Sequence, residues 1–204
     1  MKPLLIIATH NRHKLAEIRR ILGRTPFRVV GLDAFPSYSV RETGRTLEEN
    51  ALLKARKGVR MTGHLCLSDD SGLEVKALRG APGVLSARYA GPGCSYDDNN
   101  RKLLRVMRAL PASRRDARFR CVVALAAPHK TARLFEGRTP GRITTEPRGS
   151  RGFGYDPVFA PRGAGGRTFA EMSLGEKNLL SHRARAFGRA ARFLESIDKR
   201  KRGR

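Results

Sequence analysis

His64-Leu65-Cys66-Leu67-Ser68-Asp69-Asp70-Ser71-Gly72 carries an apolar run of strand length straight into two adjacent carboxylates and a Ser-Gly pair. A short buried strand over 65–68 that opens into an acidic, glycine-containing turn resembles the strand edge of an α/β sheet, where catalytic loops gather. Asp, Ser and Gly are also ordinary turn formers. The acidic pair stands out because acids are scarce, with 18 Asp and Glu against 42 Lys and Arg. Side-by-side carboxylates repel unless a cation or a shared proton relieves them, and hard carboxylate oxygens suit Mg²⁺.

On either side of this run the pattern alternates between strands and helices. Residues 3–9 read as a buried strand, and 11–22 as a helix with Leu15, Ile18 and Leu22 on one face. A second strand follows over 27–32. Thr46 stands three residues before Glu49, a capping-box pattern that opens a helix to about Met61. Residues 96–110 form a helix, 117–127 and 132–138 two longer strands, and 176–197 a mainly helical segment. No repeat or linker interrupts the series, which predicts one α/β domain with an antiparallel lobe around 115–145.

The composition sets the outer limits. At 204 residues with 40% hydrophobic content, the chain affords one well-buried core. No apolar stretch approaches the ~20 residues that span a bilayer. Cys66, Cys94 and Cys121 offer neither metal spacing nor a complete disulfide framework, so a reducing cytoplasmic setting is expected. The formal net charge is +24, but Arg is spread over the whole chain and no aromatic residues interleave it as a base-stacking platform needs. Only 199–204, Lys-Arg-Lys-Arg-Gly-Arg, is a concentrated basic run, expected as a disordered tail after a domain over 1–198.

Several segments carry candidate chemistry. Thr9-His10-Asn11-Arg12-His13-Lys14 joins the first strand to the first helix, where free N–H groups and the helix dipole favour an anion. A plain helix cap by Asn11 with a solvated Lys14 is the simpler reading of the same residues. Glu42-Thr43-Gly44 precedes a helix carrying Glu49, Asn50 and Lys54. Gly152-Phe153-Gly154-Tyr155-Asp156-Pro157 is a rigid aromatic turn that presents Phe153 between glycines or covers a core with it. Lys177, His182 and Arg183 bring three donors to the last helical segment.

Taken in order, Thr9-x-Asn11-x-x-Lys14, Glu42-Thr43-Gly44, Glu49-Asn50-Ala51-x-x-Lys54-Ala55, Asp69-Asp70-Ser71-Gly72-Leu73, Gly80-Ala81-Pro82-Gly83-Val84-x-Ser86-Ala87-Arg88-Tyr89, Gly152-Phe153-Gly154-Tyr155-Asp156-Pro157 and Ser181-His182-Arg183 resemble the non-canonical purine nucleoside triphosphate pyrophosphatases, the inosine triphosphate pyrophosphatase family. The resemblance runs from about residue 4 to residue 195. It implies an elongated single α/β domain: a long central mixed sheet flanked by helices, and two lobes with the active site in the cleft. It implies a homodimer and Mg²⁺-dependent hydrolysis of ITP, dITP and XTP to the monophosphate and pyrophosphate.

By position, the resemblance makes Asp70 the catalytic base, with Glu42 and Asp70 as metal carboxylates. Thr9, His10, Asn11, Arg12, His13, Lys14, Lys54 and Ser71 become substrate contacts. Phe153, Gly154, Tyr155, Asp156, Lys177, His182 and Arg183 become the base-recognition set. The competing expectations are a Maf-type nucleotide pyrophosphatase, against which the Phe153 and His182 segments argue, and a basic nucleic-acid-binding protein. No membrane partner is expected, and nucleic acid is not expected as a specific one.

Overall fold

The computed structural model describes residues 2–23, 25–35 and 38–202. β1 (Leu4–Ile7) is almost wholly apolar and buried. Asn11 then caps α1 (Arg12–Ile21), its side chain accepting the Lys14 N–H. The chain returns as β2 (Arg28–Gly31), parallel to β1 with Leu5 opposite Val29. α2 (Leu47–Thr62) starts at Thr46, whose side chain accepts the Glu49 N–H. Glu49 answers at the Arg45 N–H rather than at Thr46, so the capping box closes one residue early. Gly63 ends α2 in the left-handed region, at φ 68°.

β3 (Leu65–Val75) lies parallel to β1, with Leu5 opposite Leu65. It does not stop at Ser68 as the sequence suggests, but runs through Asp69, Asp70, Ser71 and Gly72. Nearly every residue along it is buried, the habit of a strand covered on both faces. The Ser-Gly turn signal loses here because Gly72 serves a close approach: a Cβ at that position would lie 2.4 Å from the Gly83 carbonyl oxygen.

α3 (Tyr96–Val106) is capped reciprocally by Ser95 and Asp98. β4 (Asp116–Ala126) and β5 (Arg133–Ile143) follow, and β6 (Phe159–Pro161) pairs antiparallel with β5, Gly141 opposite Pro161. β5 extends past the expected limit at Arg138. Pro140 needs no ladder donor there and its carbonyl accepts the Arg162 N–H, while Gly141 lets β6 come close. The six strands form one mixed sheet in the order β2-β1-β3-β4-β5-β6.

The last helical segment is two helices. α4 (Leu174–Leu180) ends at an extended, fully buried Ser181, and α5 (His182–Arg202) begins at once. α5 therefore continues into the stretch expected as a tail, while residues 203–204 lie outside the described ones. Among the described residues no helix is long and apolar enough to cross a membrane.

Two compact units share the chain: Met1–Asp70, Cys121–Gly137 and Arg183–Arg204 make one, Ser71–Arg120 and Arg138–His182 the other. The first packs Leu5, Ile7, Ile18, Leu67 and Val123 with a stripe of α5, Ala186, Phe187, Ala190 and Leu194. Each fully buried large apolar side chain contributes roughly 1.5–3 kcal/mol. The second is aromatic at its centre: Phe119 meets Phe159 edge-on at 4.6 Å between centroids, and Phe169 joins them. Arg115, buried in this unit, donates to the carbonyls of Met107, Ile143 and Thr144.

Candidate functional site

In the first unit, the strand geometry of β3 decides what the acidic pair does. Successive side chains in a strand point to opposite faces. Asp69 and Asp70 therefore do not confront each other; each has its own cations. Asp69 is 2% exposed, with Oδ2 3.0 Å from the Lys14 ammonium and 3.5 Å from the Arg183 guanidinium. The Cys121 thiol lies 3.9 Å from the same oxygen. Burial pushes the Asp69 carboxyl up, but Lys14, Arg183 and Lys54 outweigh it and hold it well below the usual carboxylate range.

Asp70 is the other case. Its Oδ1 lies 3.2 Å from the Lys54 ammonium, and its Oδ2 accepts from the Asn50 amide at 3.3 Å. Here burial prevails: it lifts the carboxyl above its ordinary value despite Lys54 and Lys14, and Glu42 and Asp69 add to the rise. The Lys54 ammonium also lies 2.8 Å from Glu42 Oε1. Burial pulls Lys54 down, but Asp70, Glu42 and Asp69 hold it above the usual lysine range. Glu42 and Asp70 thus converge on one cation. Tyr38, buried beside them, donates its hydroxyl to the Lys54 carbonyl at 2.8 Å.

The loop before α1 is an ordered turn. Thr9 Oγ1 accepts the Asn11 N–H at 3.2 Å, and the Asn11 side chain is occupied by the helix cap. His10 Nε2 donates to the Tyr38 carbonyl at 2.7 Å. Arg12 and His13 are exposed at the helix start. The plain reading of Asn11 as a cap is what the fold uses, whereas Lys14 is not solvated but committed to Asp69.

The second unit holds most of the remaining residues. Asp156 organises the aromatic turn: its Oδ2 accepts the Phe153 N–H at 2.8 Å and binds the Lys177 ammonium at 2.6 Å. Gly152 sits at φ 78°, and a Cβ there would lie 2.1 Å from Asp156 Oδ2, so only glycine serves. Lys177 lies over the Phe153 ring at 4.9 Å. Tyr96 flanks Phe153 at 6.0 Å. The Gly154 carbonyl accepts from the Asn100 amide at 3.0 Å. The His182 ring stacks on Phe119 at 4.5 Å and is 3% exposed. Ser71 follows Asp70 in β3, half-buried.

Two residues expected to contact the base have other partners. Tyr155 is packed in the core of the second unit, and its hydroxyl donates to the Ser86 carbonyl at 3.0 Å. Arg183 is 2% exposed and spends its guanidinium on Glu17 and Asp69 in the first unit. A buried guanidinium beside two carboxylates is the lower-energy arrangement, since an unpaired buried charge is costly. Sequence reasoning missed Glu17, which is 3% exposed and anchors Arg183. Its signal was an acid three residues after Lys14 on a helix otherwise rich in Arg. Asn50, which the sequence places on α2 without a role of its own, is fully buried against Asp70 and also receives the Gly44 N–H.

The Ham1 family model matches residues 5–193. A relative from Geobacter sulfurreducens named dITP/XTP pyrophosphatase is 48% identical over 185 residues, covering 89% of this chain and 92% of its own. One of the same name from Symbiobacterium thermophilum is 48% identical over 193 residues, 95% of each chain. A solved HAM1 protein from Coxiella burnetii superposes with a TM-score of 0.86 at 38% identity, covering 95% of this chain and 99% of its own.

Proposed function

The chain belongs to the Ham1 family, and from that premise we propose that it hydrolyses non-canonical purine nucleoside triphosphates, ITP, dITP and XTP, to the monophosphate and pyrophosphate. The observation that most supports this reading is the setting of Asp70: a buried carboxyl at the end of the apolar half of β3, oriented by the Asn50 amide at 3.3 Å and the Lys54 ammonium at 3.2 Å. A carboxyl held in one orientation by two donors meets the geometric requirement of a general base. Asp70 takes a proton from water as the water oxygen bonds to the α-phosphorus. The bond from that phosphorus to the α–β bridging oxygen breaks, and pyrophosphate leaves with the electron pair. Lys14, Lys54 and the N-terminal N–H groups of α1 stabilise the charge that develops on the phosphates.

Glu42 and Asp70 are the residues that would hold Mg²⁺. Among the described residues no three acidic, His or Cys side chains converge as a self-sufficient cage. Mg²⁺ does not require one, because it is commonly held by one or two carboxylates together with substrate phosphates. Two carboxylates already aimed at a single ammonium fit that habit. When bound, the ion supplies charge neutralisation and orientation of the triphosphate.

Base recognition is assigned to the residues around the aromatic turn. Phe153 stacks on the purine, while Lys177 and His182 donate to its 6-carbonyl. Asp156 and Tyr155 shape the turn rather than touch the base. A homodimer in the cytoplasm belongs to the same reading, on the strength of the family resemblance alone.

The test is pyrophosphate release by Asp70→Asn, which keeps the shape and removes the charge. Turnover is expected to vanish with the melting transition retained. Near wild-type turnover in the folded variant overturns the assignment. Glu42→Gln is expected to raise the Mg²⁺ concentration needed for half-maximal rate, and an unchanged titration removes Glu42 from the metal set.

A further inference from the structure

The second unit contains a cavity of about 440 Å³ that shares no residue with either cluster described above. Its size lies within the range of small-molecule sites. Four cations line it, Lys76, Arg79, Arg118 and Arg162, against two carboxylates, Glu74 and Asp116. The carboxylates are already answered. Glu74 is paired with Arg118 at 2.6 Å and with Arg120 at 4.0 Å, and Asp116 faces Arg142 at 3.6 Å.

Lys76, Arg79 and Arg162 are not answered. All three are exposed, and none of their side chains pairs with another described residue. Arg79 is held in the left-handed region at φ 53°, a conformation uncommon outside glycine and asparagine. Pro140, which is exposed, and the edge of Ala117 add apolar surface between the charges. Three unpaired cations around an apolar floor make a field that favours a compact polyanion with an uncharged body.

We propose that this cavity binds a phosphorylated small molecule of nucleoside-monophosphate size, its phosphate held by Lys76, Arg79 and Arg162 and its uncharged part lying on Pro140 and the edge of Ala117. The site is independent of the hydrolytic assignment, because its residues take no part in that chemistry. Free arginines supply the planar donor fork that phosphate oxygens accept in pairs.

Calorimetric titration of the full chain with AMP, and separately with adenosine, tests this. AMP is expected to bind at low salt and to weaken as ionic strength rises, while adenosine binds far more weakly. In a variant combining Lys76→Ala, Arg79→Gly and Arg162→Ala, AMP affinity is expected to fall roughly 30-fold, as three exposed ionic contacts are lost. Glycine at 79 keeps the left-handed backbone, and an unchanged melting curve checks the fold. Hydrolysis of ITP by this variant is expected to stay near wild type. AMP binding that survives the triple substitution, that is lost instead in Lys54→Ala, or that adenosine reproduces, overturns the proposal.

Discussion

Asp69 and Asp70 illustrate how one backbone step changes a residue's chemistry. Neighbours in β3, they differ by the face they occupy: Asp69 contacts Lys14 and Arg183 and is held ionised, while Asp70 contacts Lys54 and Asn50 and is lifted by burial. Arg183 supports this division from outside the chemistry. Its guanidinium lies on Glu17 and Asp69; a residue that positions these carboxylates without reading the base gives an Arg183→Ala variant that hydrolyses ITP and ATP more slowly by similar factors, their ratio unchanged. A selective loss of the ITP preference would restore it as a base reader. Glu17→Gln leaves that guanidinium short of a partner at a site 3% exposed, and breaking a buried pair on one side costs about 3–5 kcal/mol. Urea unfolding is expected to show a loss of that order, and a change under about 1 kcal/mol would mean the pair is dispensable. The importance of the acidic pair was legible from its rarity. Its partition was not, because it depends on a strand continuing where Ser-Gly spells a turn, and on Gly83 lying against Gly72 eleven residues away.

Elements were legible where local chemistry governs them. The Asn11 and Thr46 caps start α1 and α2 at the residues the sequence marks. Where partners govern, the sequence fell short: β5 passes through Pro140 where β6 lies beside it, and the mainly helical stretch 176–197 is divided into α4 and α5 at Ser181, a break its pattern does not mark. The Ser95–Asp98 box at the start of α3 gives a clean test in acid. Hydrogen bonds from the Ser95 hydroxyl and N–H, with help from Arg101, depress the Asp98 carboxyl from 3.8 to about 2. A depressed acid stabilises the fold fully above its unfolded pKa and loses that contribution as pH falls through the folded one. The stability gap between wild type and Asp98→Asn is therefore expected to be constant above pH ~4 and to close towards pH ~2, as read by circular dichroism melts. A gap that does not change across this window would mean the cap does not titrate as described. In the aromatic turn, Gly152→Ala combines a left-handed backbone with a Cβ overlapping Asp156 Oδ2. It is expected to weaken ITP binding more than the turnover of bound substrate, and an unchanged KM would remove the turn from base recognition.

At the scale of the molecule, the α/β class and the mixed sheet were legible from alternating patterns and family resemblance, and the family match over 5–193 agrees with both. The charge of +24 was the least informative feature. It is spread over surface arginines, while the cations of the candidate site, Lys14, Lys54, Lys177 and Arg183, are largely buried against carboxylates. Charge counting cannot separate the two sets; partners can. Deleting 199–204 is accordingly expected to leave hydrolysis nearly unchanged at moderate salt, and a large loss would give the tail a role. The central claim is the one proposed above: Asp70, with Lys14 and Lys54, serves cleavage of a triphosphate whose purine is selected by hydrogen-bond donors. Pyrophosphate release measured across ITP, XTP, dITP, ATP and GTP, with and without Mg²⁺, addresses both halves at once. Donors facing adenine's 6-amino group stay unpaired, and a site built on such donors can reject the mismatch by on the order of 10⁴. The account therefore predicts rapid Mg²⁺-dependent release from ITP, dITP and XTP and almost none from ATP; equal rates on ITP and ATP, or release of orthophosphate in place of pyrophosphate, would contradict it.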